Sequence, residues 1–552
     1  MTAEIPWEDW SDEALARASR EGKPIALHIG ATWCHWCHVM DEGSYTWPGV
    51  AALLAERYVC IRVDTDRRPD LNERYNQRGW PTFAILDAAG EVLVGRTYLP
   101  GIELLGLLRS AADPTSRWTV APEPAPKLGS ADLKPDAIWK KVVDAFDPYQ
   151  AGFGEMEKFP HTGVLEWLTD RAARATENGG TGDEWTTQAL TRTLAAMATR
   201  GMFDHVQGGF FRYATQEDWN EPHTEKLLED HGRLLAVYAR NPGDANRVAL
   251  ASALRWLIAT LHDPVSGAFF GSQDAAEGYY RLGAMGRRSE GAPTVDRTLY
   301  AGWNGLTAAA LVRCGAVLGR PGLLGLAHGS CGHLLGTLSP DGCVLRCAGG
   351  VSGLLEDQVQ VAEGLWAVGC AFGDEGLRSR AVTTLEWAWK ALNARGVDEP
   401  APGTIAGGLW DRQPDAVGRL RHARRNVHGN AAFSMLATKM GALIGGPWAD
   451  RARECARVAL AESEDWGFFA APAGAAWERC EARTVTIKVA TEGWPIPPLL
   501  VQGLADPHPD HVWVGVRDGV PSGMAMACTS SACARPTADR AELQRTIRTL
   551  GL

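Results

Sequence analysis

Residues 31–40 read ATWCHWCHVM: two cysteines, two histidines and two tryptophans in ten positions, directly after the apolar run KPIALHIG at 23–30. Four chemistries fit this stretch. Cys34 and Cys37 have the spacing of a redox dithiol, and CHWCH also matches the Cys-x-x-Cys-His pattern of haem attachment, with His38 as axial ligand. Joined by His35, by His38 or by the distant Cys528 and Cys533, the pair also suits tetrahedral zinc, which four thiolates satisfy. The fourth reading is packed cysteines with no chemistry, since buried cysteine behaves as a small hydrophobe.

The surroundings favour the dithiol. SDEALARASREG at 11–22 reads as a short helix with Ser11 as N-cap and Gly22 as terminator. KPIALHIG is then a strand, and the cysteine motif opens a helix expected to run to about Glu56. RYVCIRVD is a buried strand, PDLNERYNQ a helix, TFAILD a strand, AAG a turn, EVLVGRTY its hairpin partner, and a helix follows near Ile102 to Ser110. This β-α-β-α-β-β-α order, with Cys-x-x-Cys between the first strand and its helix, resembles a thioredoxin-like domain. Trp80-Pro81-Thr82 stands directly before the third strand, where thioredoxins hold a cis-proline against the dithiol. Helix-start N–H groups, with His35 adjacent, stabilise Cys34 as the attacking thiolate, and Cys37 one turn inward resolves the mixed disulfide. His35-Trp36 replaces the Gly-Pro of ordinary thioredoxins.

The chain of 552 residues is too long for one core, and its 45% hydrophobic and 22% charged content is that of a globular protein. No apolar run is long enough for a membrane span, and the net charge of -11 argues against nucleic acid or an anionic membrane as partner. The opening MTAEIPWEDW lacks the basic-then-apolar layout of a secretion signal, so a cytoplasmic location is expected, with most of the 12 cysteines reduced. The 22 tryptophans outnumber 13 phenylalanines and 10 tyrosines, enough indole both for a core and for a sugar-binding surface.

From Asp113 to about Asp136 the chain is rich in proline, alanine and small polar residues, a connector. Helical periodicity dominates beyond it, and a phrase recurs: Asp147 to Phe153 (DPYQAGF), Asp204 to Phe210 (DHVQGGF) and Asp263 to Phe269 (DPVSGAF), with echoes at SPDGCVL, AGGLWD and SEDWGFF. Returns every 57 to 75 residues or so allow two helices each. Six such hairpins predict a closed (α/α)6 toroid in preference to an open solenoid.

Polar clusters fall beside these turns: EKFPHTG, EPHTEKLLEDHG, GSQDA, DRTLYAGWNGL, LLEDQ and RRNVHGN. If the turns share one mouth, His161, Asp204, His223, Glu225, Asp230, Asp274, Trp303, Asn304, Asp357 and His428 converge on a cleft suited to general acid/base work on a polyol, with indoles against sugar faces. The competing reading makes these charges helix caps and ion pairs.

The phrases WCHWCHVM, WPTFAILDAAG, KFPH, GGFFRYATQEDWNEPHTEKLLED, DRTLYAGWNGL, LLEDQ and ACTSSACARP together resemble the spermatogenesis-associated thioredoxin-domain proteins and their bacterial relatives, and the chain reads as a bacterial member. That resemblance implies a thioredoxin-like α/β domain followed by an all-α (α/α)6 toroid similar to N-acylglucosamine 2-epimerases and six-hairpin glycosidases, with a small α+β tail carrying the family's Cys-x4-Cys-x-x-Pro. The expected division is 1–115, a linker at 116–136, the toroid at 137–500 and the tail at 501–552. Two departures stand out: Ser272-Gln273-Asp274-Ala275-Ala276 lacks a second aspartate, and EKLLEDHG carries Glu229 and His231 where the family has tyrosine and asparagine.

The function expected is a thiol-disulfide oxidoreductase whose toroid selects or processes a ligand, with Cys528 and Cys533 as a second dithiol. The alternatives are a sugar isomerase, epimerase or glycosidase with a regulatory dithiol, and a non-catalytic glycan- or protein-binding module. No cofactor is expected. The partner is a small molecule, saccharides included, or a protein thiol or disulfide.

Overall fold

A computed structural model of the chain describes residues 4–113, 118–120, 134–177, 183–394, 405–414 and 417–551. Most of the expected connector at 116–136 lies outside them.

The first unit runs α1 (Asp12–Glu21), β1 (Ile25–Gly30), α2 (His35–Val39), α3 (Val50–Arg57), β2 (Val59–Asp64), α4 (Pro69–Tyr75), β3 (Thr82–Leu86), β4 (Val92–Arg96) and α5 (Gly101–Ala112). Ser11 caps α1 by accepting the Ala14 N–H at 3.1 Å, and Gly22 ends it at φ 61°. The sheet order is β2-β1-β3-β4, with β1 parallel to β2 and antiparallel to β3. Central β1 is buried throughout because Ile25, Leu27 and Ile29 face one apolar layer and Ala26 the other. The single helix expected to Glu56 is broken: α2 passes into a π turn at Met40–Ser44 and the chain restarts at Val50. Pro48 and Gly49 at φ 88° are incompatible with a continuous helix there.

The second unit contains α6 (Pro135–Ala145), α7 (Thr162–Glu177), α8 (Glu184–Thr199), the short strands β5 (Tyr213–Ala214), β6 (Pro222–His223) and β7 (Lys226–Leu227), α9 (Leu228–Arg240) and α10 (Asp244–Thr260). A long loop with β8 (Ser272–Gln273), α11 (Glu277–Tyr280), α12 (Ala284–Ser289) and β9 (Val295–Asp296) leads to α13 (Ala301–Leu318). There follow α14 (Pro321–Gly336), α15 (Leu355–Phe372), α16 (Glu375–Ala391), α17 (Val427–Ile444), α18 (Trp448–Ala461) and α19 (Ala471–Glu481). Helices α7, α9, α13, α15, α17 and α19 each contact the next, and α19 returns to α7, closing an inner ring. Helices α6, α8, α10, α14, α16 and α18 form the outer layer. First and last inner helices are joined by buried charge: Arg479 Nε donates to Asp170 Oδ2 at 2.7 Å, Arg479 Nη2 to Glu166 at 2.7 Å, and Trp167 Nε1 to Glu478 at 2.8 Å.

The recurring phrases are the outer-to-inner turns. Phe146 bridges Phe153, Phe203 bridges Phe210, His262 bridges Phe269, Leu338 bridges Val344 and Asn393 bridges Leu409. The fourth residue of the following inner helix clasps the turn. His231 Nε2 accepts the Phe210 N–H at 2.9 Å, Asn304 accepts that of Phe269 at 2.7 Å, and Asn430 accepts that of Leu409 at 2.9 Å. Gln358, its amide oriented to satisfy both partners, accepts from Val344 at 2.7 Å and donates to the Gly342 carbonyl at 3.0 Å. His231 thus does the work of the expected asparagine: Nδ1–H donates to the Leu227 carbonyl at 2.7 Å, which leaves Nε2 as the acceptor.

The chain ends with β10 (Val485–Ala490), α20 (Pro498–Leu504), β11 (His511–Val516), β12 (Ala525–Cys528) and α21 (Arg540–Gly551). Their sheet begins within the span expected for the toroid, and its order β11-β10-β12, one parallel and one antiparallel pair, repeats that of β2-β1-β3. This module packs against α13, α15 and α17. Among the described residues no helix is long and apolar enough to cross a membrane.

Candidate functional site

Cys34 is the N-cap of α2, and its Sγ accepts the Cys37 N–H at 3.2 Å; the two sulfurs are paired as a disulfide. The strand β1 delivers the motif to the sheet edge, and the Trp80–Pro81 bond before β3 is cis. Trp33 meets Trp80 edge-on at 5.7 Å. His35 and Trp36 are exposed, but Cys34 is only 5% exposed. The attacking role expected of Cys34 calls for an open sulfur, whereas here the second unit covers it. Leu227 of β7 joins Ala31, Trp33, Cys34 and Cys37 in one apolar cluster, and the Arg212 guanidinium lies over Trp33, Trp80 and Tyr213 at 4.7, 5.1 and 5.0 Å.

The short strands bring polar groups to the same seam. His223, paired with Tyr213 across β5 and β6, has Nδ1 3.5 Å from Glu225, and Arg212 is 3.9 Å from Glu225. Asp274, beyond β8, is 3.8 Å from His38 Nδ1, while His38 Nε2–H donates to the Thr32 carbonyl at 3.0 Å. Burial raises the Asp274 carboxyl, His38 opposing it. Burial, then Glu229, lifts Asp230 to about 7. Glu225 Oε2 and Asp230 Oδ2 have no hydrogen-bond partner among the described residues.

A cavity of about 590 Å³ runs inside the ring. Glu229, Arg233, Glu356, His161 and His428 line its mouth, where Glu73 of α4 enters from the first unit. Arg233 bridges Glu229 at 2.9 Å and Glu356 at 3.4 Å, and Gln360 donates to Glu356 at 2.8 Å. Burial and then Glu229 push Glu356 up to about 7; burial and then Asp411 push Glu73 up to about 8. Burial lowers His161 to about 4 and also lowers His428, whose Nε2–H donates to the Phe469 carbonyl at 3.1 Å.

The residues expected in one cleft therefore divide. His223, Glu225, Asp230 and Asp274 gather near Cys34, Cys37 and His35; His161 and His428 reach the cavity. Four others are held in packing and pairing contacts. Asp204 is buried against Lys226 and Arg287, both at 2.7 Å, Asn304 clasps the Phe269 turn, Trp303 lies buried against Tyr300, and Asp357 pairs with Arg346 at 2.8 Å. Cys528 pairs with Cys533 in the terminal module, and neither belongs to the cluster that holds Cys34 and Cys37. Arg212, Glu73, Glu229, Arg233 and Glu356 also belong to the site, though no motif marks them in the sequence as site residues. Glu356 lies in LLEDQ beside Asp357, but one residue along a helix is about 100° of rotation.

Fold and site define a thioredoxin-like domain, its disulfide turned inward, joined to a closed (α/α)6 toroid. Residues 1–110 match the family Thioredox_DsbH, described as a protein of unknown function, DUF255. Human spermatogenesis-associated protein 20 is 30% identical over 309 residues, which are 49% of this chain and 39% of that protein, so the chain spans well under two thirds of this curated relative. Thioredoxin-1 of Drosophila melanogaster is 35% identical over 66 residues, 12% of this chain and 59% of its own. Among solved structures, a sugar epimerase from a ruminal bacterium aligns at TM-score 0.42 and 13% identity over 58% of this chain and 85% of its own. A DsbH oxidoreductase aligns at 0.19 and 22% over 20% and 86%.

Proposed function

We propose that the chain is a thiol-disulfide oxidoreductase acting on a small disulfide admitted at the seam between its two units. The observation that carries this reading is Cys34 as N-cap, its sulfur accepting the Cys37 N–H. Once a thiol reductant has opened the pair, the Cys34 thiolate attacks the substrate disulfide, forming a mixed disulfide and releasing one thiolate. Cys37 then attacks Cys34 Sγ, the second substrate thiol leaves, and two electrons have passed as the Cys34–Cys37 bond re-forms. Leu227 and Arg212 over the motif favour a small substrate above a protein face. The test is turnover of cystine, glutathione disulfide and insulin by wild type and Cys34→Ser. The reading expects the small disulfides to be reduced faster than insulin and the variant to be inactive; equal rates for the two proteins would sink it.

A second reading has its own support: His161 and His428 share one cavity with Glu229, Glu356 and Arg233, a set suited to proton transfer on a sugar. Saccharides that raise the melting temperature and are turned over, with turnover lost in His428→Ala, would favour an isomerase or epimerase. A shift without turnover would indicate a binding module.

A further inference from the structure

Where His508 and His511 line the cavity, they meet Glu177 in a cluster that neither reading uses. Glu177 ends α7, His508 lies between α20 and β11, and His511 opens β11. One ligand-type atom from each lies within 4.8 Å of the others. Glu177 Oε2 is 2.8 Å from His508 Nε2 and Oε1 is 3.5 Å from His511 Nε2, and the two imidazoles stack at 4.1 Å. A tetrahedral ion with bonds of about 2 Å separates its ligand atoms by about 3.3 Å, inside this spread.

The second layer points the same way. Asp506 Oδ2 accepts from His511 Nδ1 at 2.7 Å, which fixes the tautomer that turns the Nε2 lone pair toward Glu177. The loop bearing both histidines is held by three arginines. Arg174 donates to Asp510, Arg240 to the Pro507 carbonyl at 2.7 Å, and Arg313 to the Asp506 carbonyl at 2.5 Å. Arg174 is offset by Asp510 and Glu478, Arg240 by Asp170 and Arg313 by the Asp506 carboxylate, so these cations do not leave the site positive.

We propose that Glu177, His508 and His511 bind a divalent transition metal, zinc by ligand type, with a fourth position toward the cavity that His508 and His511 line. The ion takes the place of the proton His508 Nε2 shares with Glu177. That proton moves to Nδ1, at the expense of the 3.3 Å contact from the Asp510 N–H. The bound ion ties the end of the first inner helix to the terminal module.

The full chain, stripped with a chelator, is titrated with Zn²⁺ by calorimetry and with Co²⁺ by absorption. The proposal expects one equivalent bound, tetrahedral cobalt bands, and a melting temperature raised by zinc and lowered again by chelator. Binding is lost in His511→Ala and Glu177→Gln, retained in Cys34→Ser/Cys37→Ser, and about 10- to 100-fold weaker in Asp506→Asn. Should His511→Ala fail to fold, Glu177→Gln, at a partly exposed helix end, decides. No binding by wild type, or undiminished binding by Glu177→Gln, overturns the proposal.

Discussion

The guanidinium of Arg212 lies 4.7 Å from the indole centroid of Trp33, the residue before Cys34. One side chain of the ring unit thereby helps shut in the disulfide of the other. Arg212→Ala is expected to speed reduction of Cys34–Cys37 by dithiothreitol several-fold, measured by thiol release. The lost cation-π contacts should cost about 1–2 kcal/mol in urea unfolding. An unchanged reduction rate would show that the cover lies elsewhere.

His231 accepts the Phe210 N–H through Nε2 and donates to the Leu227 carbonyl through Nδ1, the two roles that the Asn304 and Asn430 amides play at their own turns, so His231→Asn should be within about 1 kcal/mol of wild type. His231→Leu leaves the buried Phe210 N–H unpaired, at a cost of about 1–3 kcal/mol. Denaturant midpoints distinguish the two.

Burial raises several carboxyls: Asp230 and Glu356 to about 7, Asp66 and Glu73 to about 8. Folded carboxyls with raised values hold protons that the unfolded chain has released, so their contribution to stability falls as pH rises through the folded values. Histidines held neutral by burial, His161 near 4 and His231 near 3, act oppositely, adding stability as pH rises toward about 6.5. Above that the raised carboxyls lower stability as pH rises until Lys226, brought down to about 8 by burial, begins to act oppositely, and stability should fall between about pH 6.5 and 7.5. Asp230→Asn should lessen the fall by on the order of 1 kcal/mol, read from denaturation curves at both pH values.

Asp170 receives Arg479 at 2.7 Å and Arg240 at 2.5 Å and is fully buried. Asp170→Ala leaves Arg240 with only the Pro507 carbonyl and Arg479 with Glu166 as its remaining carboxylate, and should cost about 3–5 kcal/mol. Paired with Arg479→Met in a double-mutant cycle, it should show strong coupling. Additive losses would mean that the two helices are held by other contacts.

Periodicity and turn chemistry carry most of the fold. The Asp-to-Phe returns mark the outer-to-inner connections, because the tight turn takes a positive φ four residues after the aspartate, met by Gly208 at 90° and Gly267 at 73° and, in the first return, by Ala151 at 64° followed by Gly152 at 85°. The dithiol and Pro81 are legible for the same local reason. What linear sequence does not convey is rotation about a helix axis and which unit covers which surface. Asn304 resembles a cleft residue until its amide is seen against the Phe269 backbone, and Glu356 is separated from Asp357 only by the direction in which each leaves α15. Arg212 gives no sign of its place because its partners, Trp33 and Trp80, lie well over a hundred residues earlier.

The bond between Arg479 and Asp170 spans 309 positions along the chain. During synthesis the hairpins emerge one after another, and each can dock on its predecessor, but the circle stays open until nearly the whole ring has left the ribosome. Until then Asp170 and Trp167 face solvent on an unsealed edge. Closure is therefore a late, long-range event, and a nascent chain stalled before α19 exposes a surface that chaperones would have to shield.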